Sequence, residues 1–197
     1  MNSVIDFRSY FGALNSRLLV MIDLQQDNFE RLAKDQGSDL GRLLEGCKSA
    51  IRHARDSRIP IAFTRRAAGL RSAESSVPSA WISGFEPKRS DMVFERQYPS
   101  CYGNPLFEDI VSDAGSFAIG GFAAEEICLA TAIDASHRGH QVTFLSDASA
   151  SYRRRHQDAR GAHAVATKAI ELFADIATTS HWLVATSQRP LKGHRYG

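Results

Sequence analysis

Apolar positions along the chain fall into short blocks, and the spacing inside each block predicts the element it forms. Residues 17–25, RLLVMIDLQ, make a continuous apolar run closed by a carboxylate, the pattern of a strand buried on both faces. Behind the N-cap pair Ser38-Asp39, residues Leu40, Leu43, Leu44, Cys47, Ile51 and Ala54 recur at helical spacing. That stripe predicts an amphipathic helix laid on a sheet. The alternation then repeats, with strands over 59–64, 92–95, 117–121, 141–146 and 176–178 and helices over 105–112, 125–138 and 157–173. Strands alternating with helices require right-handed crossovers. The predicted fold class is α/β, a three-layer α/β/α sandwich around a mostly parallel, Rossmann-like central sheet.

Periodicity vanishes over 65–89, where GLRSAESSVPSAW is rich in Ala, Ser, Gly and Pro. A structureless run of that length inside a compact domain is usually a functional lid or a loosely ordered loop. It is read here as a pocket cover carrying Trp81. The 197 residues suit one domain spanning 1–197, with loose ends over about 1–15 and 189–197.

Composition narrows the class. Hydrophobic residues make up 43% and charged residues 23%, as in ordinary globular domains. The longest apolar run, 18–22, falls far short of the ~20 residues of a spanning helix, and the N-terminus lacks an export pattern. Cys47, Cys101 and Cys128 are odd in number and widely spaced, which fits a reducing cytoplasm better than a disulfide framework or a zinc knuckle. A net charge of +2 from 24 basic and 22 acidic residues gives no reason to expect a nucleic-acid or membrane partner. The run Arg153-Arg154-Arg155 is read as the solvated start of a helix.

In an open parallel sheet, ligands bind beyond the carboxyl ends of the strands, where helix N-termini also point. Asp23 ends the first strand, Arg96 follows MVFE, and Gly120-Gly121-Phe122 leads into the helix near Glu125. A carboxylate, a guanidinium and a helix start thus converge on one candidate site. Gly120-Gly121 lacks the spacing of a dinucleotide fingerprint. The seven histidines lack ligand spacing, so neither metal nor cofactor is predicted.

Three segments carry a family resemblance. LLVMIDLQQDNF resembles the opening strand of the isochorismatase-like (cysteine hydrolase) superfamily, with its aspartate at Asp23 and a glutamine at Gln25. PKRSDMVFERQYPSCYGNPL resembles the stretch in which a proline, an aspartate and an apolar strand lead to the catalytic lysine. Pro87, Asp91, Ser100, Tyr102 and Leu106 fall in register there, and Arg96 takes the lysine position. IGGFAAEEICLATAIDASHRGHQVTFLSDASAS resembles the glycine turn, nucleophile helix and following strand. His156 and IATTSHWL resemble the weaker tail. The resemblance implies an isochorismatase-like fold and a homodimer or higher homo-oligomer.

The chain departs from the pattern at the nucleophile. Counting from Thr131-Ala132-Ile133-Asp134-Ala135 and from Gly121, the cysteine position falls on Ile127, with Cys128 one residue later. One helical step rotates a side chain by ~100°, which turns Cys128 away from a site that Ile127 faces. Cys101, in the turn after Arg96, has only proximity in its favour. Arginine cannot share a proton as lysine can, so thioester chemistry of the Asp, Lys, Cys type is not expected. The zinc-binding pattern of nicotinamidase-like members is also missing, since the nearest histidine is His53 on a helix.

The isochorismatases of the superfamily implied by this resemblance hydrolyse a vinyl ether with the aspartate as general acid and no thiol. For that route Asp23 must hold a proton near neutral pH. Desolvation raises its pKa and Arg96 lowers it; the sequence leaves the outcome open. A small, planar, anionic substrate is expected, met by Arg96 itself or by Arg65, Arg66 or Arg71. Gln25, Phe29, Trp81, Tyr98, Tyr102 and Phe122 are its candidate contacts. Ile127 fills space that substrate or water needs, so a second reading stands beside the first: a catalytically silent member that binds a small molecule or serves as a structural subunit.

Overall fold

The computed structural model describes residues 18–36, 39–67 and 78–187. Ser38, Arg71 and both predicted loose ends lie outside those residues. Six strands, β1 (Leu19–Ile22), β2 (Ile61–Arg66), β3 (Met92–Arg96), β4 (Ser116–Phe122), β5 (Gln141–Ala150) and β6 (Asp175–Ala177), form one sheet in the order β3-β2-β1-β4-β5-β6. Every pairing is parallel. The helices are α1 (Gln26–Gln36), α2 (Asp39–Asp56), α3 (Pro105–Ala114), α4 (Leu129–His137), α5 (Ala159–Ile170) and α6 (Thr179–Ser187).

Strand alternation splits the core in two. Leu19 and Met21 of β1, Phe63 of β2 and Leu145 of β5 face a layer built on Leu32 of α1, Leu43 and Cys47 of α2, and Trp182 of α6. Val20 and Ile22, Ala62 and Phe144 face the opposite layer, with Phe107 and Val111 of α3, Ala132 of α4 and Ile170 of α5. This is the three-layer α/β/α sandwich, and its central strand β1 is buried throughout. Burying each such large apolar side chain contributes about 1.5–3 kcal/mol.

Several boundaries differ from the sequence expectation. Helix α1, QDNFERLAKDQ, was not anticipated because Phe29 and Leu32 are its only large apolar residues and make no stripe. Helix α6, TSHWLVATS, has apolar residues all round and buries Thr179, Trp182 and Ala185. Strand β5 continues to Ala150, past the expected end at 146, because the ladder to β4 shifts register between Ile119 and Gly121 and then resumes through Ser149 and Ala150. The arginine run precedes α5, which starts later than expected under an Asp158 cap that accepts from the Gly161 amide at 2.7 Å. Over 78–85 the expected irregular cover is fastened: Gln25 and Trp81 form an antiparallel bridge, the Ile82 amide donates to Leu24, and Ile82 and Phe85 are buried.

The order β3-β2-β1-β4 places the point where the chain reverses its direction of sheet growth between β1 and β4. Loops leaving these two strands diverge to opposite faces and open a crevice. Gly121, at φ +112°, sets how near the strand ends can come: a Cβ there would lie 2.1 Å from the Ile22 carbonyl oxygen. Gly121→Ala is therefore expected to cost on the order of 3 kcal/mol or more. Gly41 of α2 has open space around it and an ordinary φ, so Gly41→Ala is expected to stabilise by about 0.5–1 kcal/mol. Thermal unfolding of the two variants beside the parent should show melting midpoints displaced in opposite directions.

Candidate active site

The residue after β1 turns the chain sharply. Asp23 has φ +50°, a left-handed conformation that aspartate tolerates better than most residues. Its amide donates to Thr64 of β2 at 3.0 Å, and its carbonyl oxygen accepts from the Gln25 amide at 2.7 Å and from Asn28 Nδ2 at 3.2 Å. These contacts hold the carboxyl at the crevice while α1 departs. Burial leaves Asp23 only 4% exposed.

Arg96, at the carboxyl end of β3 and only 2% exposed, donates through Nη2 to Asp23 Oδ2. Its Nη1 donates to the Tyr98 carbonyl oxygen at 3.2 Å. The other carboxyl oxygen, Asp23 Oδ1, is buried without a hydrogen-bond partner, as is Arg96 Nε. Burial raises the Asp23 carboxyl from its ordinary 3.8 to about 6, against the opposing pull of Arg96.

A cavity of about 250 Å³ opens beside Asp23. Gln25, Ala123, Ile127 and Tyr152 contribute to its wall, and Arg31, Arg66 and Arg154 bring cationic groups to it. Gln25 is anchored by donating from Nε2 to the Ser79 carbonyl oxygen at 2.8 Å. After the cis peptide Phe122-Ala123, a single widened helical turn, Ala124–Cys128, leads into α4. The amides of Ile127 and Cys128 both donate to the Ala123 carbonyl oxygen, at 2.9 and 3.4 Å. Ile127 lines the cavity; Cys128 is not among its lining residues and is fully buried in the core beneath α4.

The other proposed contacts are distributed differently. Phe29 and Trp81 pack on the core under α2, with Trp81 edge-on to Phe63, and Phe122 is buried in that core. Tyr102 is buried against Phe107 on the opposite side of the sheet, and its hydroxyl meets His140 Nδ1 at 2.8 Å. Tyr98 is 65% exposed. None of these five is among the residues lining the cavity. Arg65 is engaged by Glu95 at 2.6 Å and lies over Trp81, whereas Arg66 reaches the cavity.

Sequence reasoning missed Asn28 and Arg31 of α1 and Tyr152 after β5. The signal for Tyr152 was its place just beyond a strand end, hidden by the shorter strand expected there. Among the described residues, no three His, Cys, Asp or Glu side chains gather as a metal site, and no helix is long and apolar enough to cross a membrane.

Residues 17–181 match the family model described as Isochorismatase domain. The fold is similar to that of an isochorismatase from Pseudomonas putida KT2440, at 21% identity over 91% of this chain and 98% of that one, with a TM-score of 0.73. It is likewise similar to a cysteine hydrolase from Pseudomonas syringae pv. phaseolicola 1448A, at 15% identity over 88% and 92%, with a TM-score of 0.72. An isochorismatase family protein from Burkholderia thailandensis gives 18% identity over 87% and 95%, with a TM-score of 0.71. No curated protein matches the sequence.

Two outcomes are expected from this geometry. A carboxyl held at about 6 in the folded state and near 4 when unfolded binds more protons folded than unfolded across that interval. Its contribution to stability is therefore present below pH ~4 and is lost as pH rises through ~6. Melting midpoints at pH 4.5 and 6.5 should show this component in the parent and not in Asp23→Asn. Burial pushes the Cys101 thiol up to about 11 and the Cys128 thiol well above its ordinary range, so both should resist iodoacetamide in the native protein and react once it is denatured, as intact mass would record.

Proposed function

This chain belongs to the isochorismatase family, and on that premise we propose that it hydrolyses a small anionic molecule without a cysteine nucleophile, with Asp23 moving the proton. The observation that carries the reading is a buried Asp23, one of whose carboxyl oxygens has no hydrogen-bond partner, on the lining of a cavity whose other residues include Ile127 and no cysteine. A carboxyl with a pKa of about 6 remains protonated in about one molecule in ten at pH 7 and is suited to give and retake a proton near neutrality.

For a vinyl ether the steps balance without a covalent enzyme intermediate. Asp23 protonates the methylene carbon, and the electron pair of the double bond forms the new C–H bond. The resulting oxocarbenium carbon takes up water, whose proton returns to the Asp23 carboxylate. Collapse of the hemiketal turns its C–OH into the ketone carbonyl of pyruvate, breaks the C–O bond to the leaving group, and passes the hydroxyl proton to the departing oxygen, which leaves as the alcohol. Arg96 serves as the fixed counter-charge: its Asp23 contact and buried position suit it to hold the carboxylate, leaving substrate anions to the cationic groups at the cavity.

A second reading has its own observation. The branched side chain of Ile127 lines the cavity at the place where family resemblance puts the nucleophile, which favours a silent member that binds a small molecule. The two readings part on one assay. With isochorismate as substrate, pyruvate release is expected, with kcat falling as pH rises above about 6 and dropping ~100-fold or more in Asp23→Asn. Cys101→Ala and Cys128→Ala should retain it. Turnover unaffected by Asp23→Asn overturns the proton role; no turnover, with thermal stabilisation by isochorismate, supports the silent reading.

A further inference from the structure

Three arginines reach the cavity, but they are not equally free. Arg154 is tied to Glu125 at 2.6 Å, with Glu126 at 4.0 Å. Arg66 has Glu126 at 4.0 Å. Arg31, on the cavity side of α1, is in no ion pair among the described residues; its guanidinium carbon lies 3.9 Å from the ring centroid of Tyr152. Asp27 and Asp35 stand one turn to either side of it on α1, and Asp35 accepts instead from the Arg153 amide at 3.0 Å.

The ring beneath Arg31 is itself fixed. Tyr152 is only 5% exposed, and its hydroxyl donates to Asn28 Oδ1 at 2.5 Å. Asn28 Nδ2 donates in turn to the Asp23 carbonyl oxygen at 3.2 Å. A continuous chain of contacts thus runs from the proton-bearing residue through Asn28 and Tyr152 to a cation. Stacking on an aromatic face uses the charge and the π surface of a guanidinium, and leaves its five N–H donors for a planar anion. The arrangement limits the freedom that a long side chain otherwise loses on binding.

From this we propose that Arg31 binds the carboxylate of the substrate, and that Tyr152 and Asn28 are positioning residues that set its distance from Asp23. The proposal deepens the reading of this cavity as a site for a small anionic substrate and rests on it. The ligand class it names is a planar monocarboxylate or larger carboxylated molecule, held at the α1 side of the cavity with its reacting atoms toward Asp23.

The test uses two probes of nearly equal shape, benzoate and benzamide, titrated calorimetrically into the full chain. Benzoate should bind the parent and benzamide should not. Arg31→Gln should weaken benzoate about tenfold to a hundredfold, the loss expected for hydrogen bonds to a charged group. Arg31→Lys should recover part of it, because charge returns without the planar fork. Tyr152→Phe keeps the ring but frees it from Asn28, and should weaken benzoate less than Arg31→Gln. In the isochorismate assay, Arg31→Gln should raise KM with kcat largely retained, the opposite of Asp23→Asn. Benzoate that fails to bind the parent, or that binds Arg31→Gln equally well, overturns the proposal. Absence of turnover with benzoate binding still dependent on Arg31 overturns only the catalytic reading and supports this one.

Discussion

Asp23 and Arg96 are removed from water together at the carboxyl ends of two strands that do not touch, with β2 between them. Each ion pays several kcal/mol of lost hydration, which mutual attraction offsets only while the geometry holds. The register of three strands therefore has to be right before the site exists. The Asp23 amide is pinned to Thr64 of β2, and Arg66 of β2 pairs with Arg96 of β3. Attraction does not cancel burial here, since one oxygen of Asp23 and one nitrogen of Arg96 remain unpartnered. That residue of uncompensated burial is what lifts the carboxyl toward neutrality.

The second constraint is backbone proximity. Gly121 lets the end of β4 press against Ile22, and the widened turn that follows brings Ile127 rather than Cys128 to the cavity. A side chain at Gly121 or a shift of one residue in that turn would rearrange the wall. The polar floor and the apolar wall of the site therefore come from strands on opposite sides of the same switch point.

Much of this was legible in the sequence, and for reasons tied to particular residues. Strands such as β1 announce themselves because burial on both faces demands an unbroken apolar run, and Asp23 stands out as the carboxylate that ends it. Helix α2 is equally plain from its one-sided stripe. Helix α1 was silent because it buries little beyond Leu32, and with it Asn28 and Arg31 escaped notice. The aromatic contacts proposed from sequence lie mostly in the two cores, where bulk serves packing. An aromatic residue carries no local mark of whether the space beside it is core or cavity; that depends on which strand end it follows, as Tyr152 does.

The ionisable groups around the cavity balance when Asp23 is charged. Arg31, Arg66 and Arg154 face Asp27, Glu126 and, while it is ionised, Asp23, so in that state the lining carries almost no net charge to be felt beyond the ~8–10 Å screening length of ordinary salt. An approaching anion is not drawn in by long-range attraction, and a more highly charged molecule gains little over a singly charged one until it is inside. On the proposed reading, such a pocket would sense the position of a charge on its ligand at the range of a hydrogen bond. Selectivity of that kind would be insensitive to ionic strength during encounter and strict about shape after it.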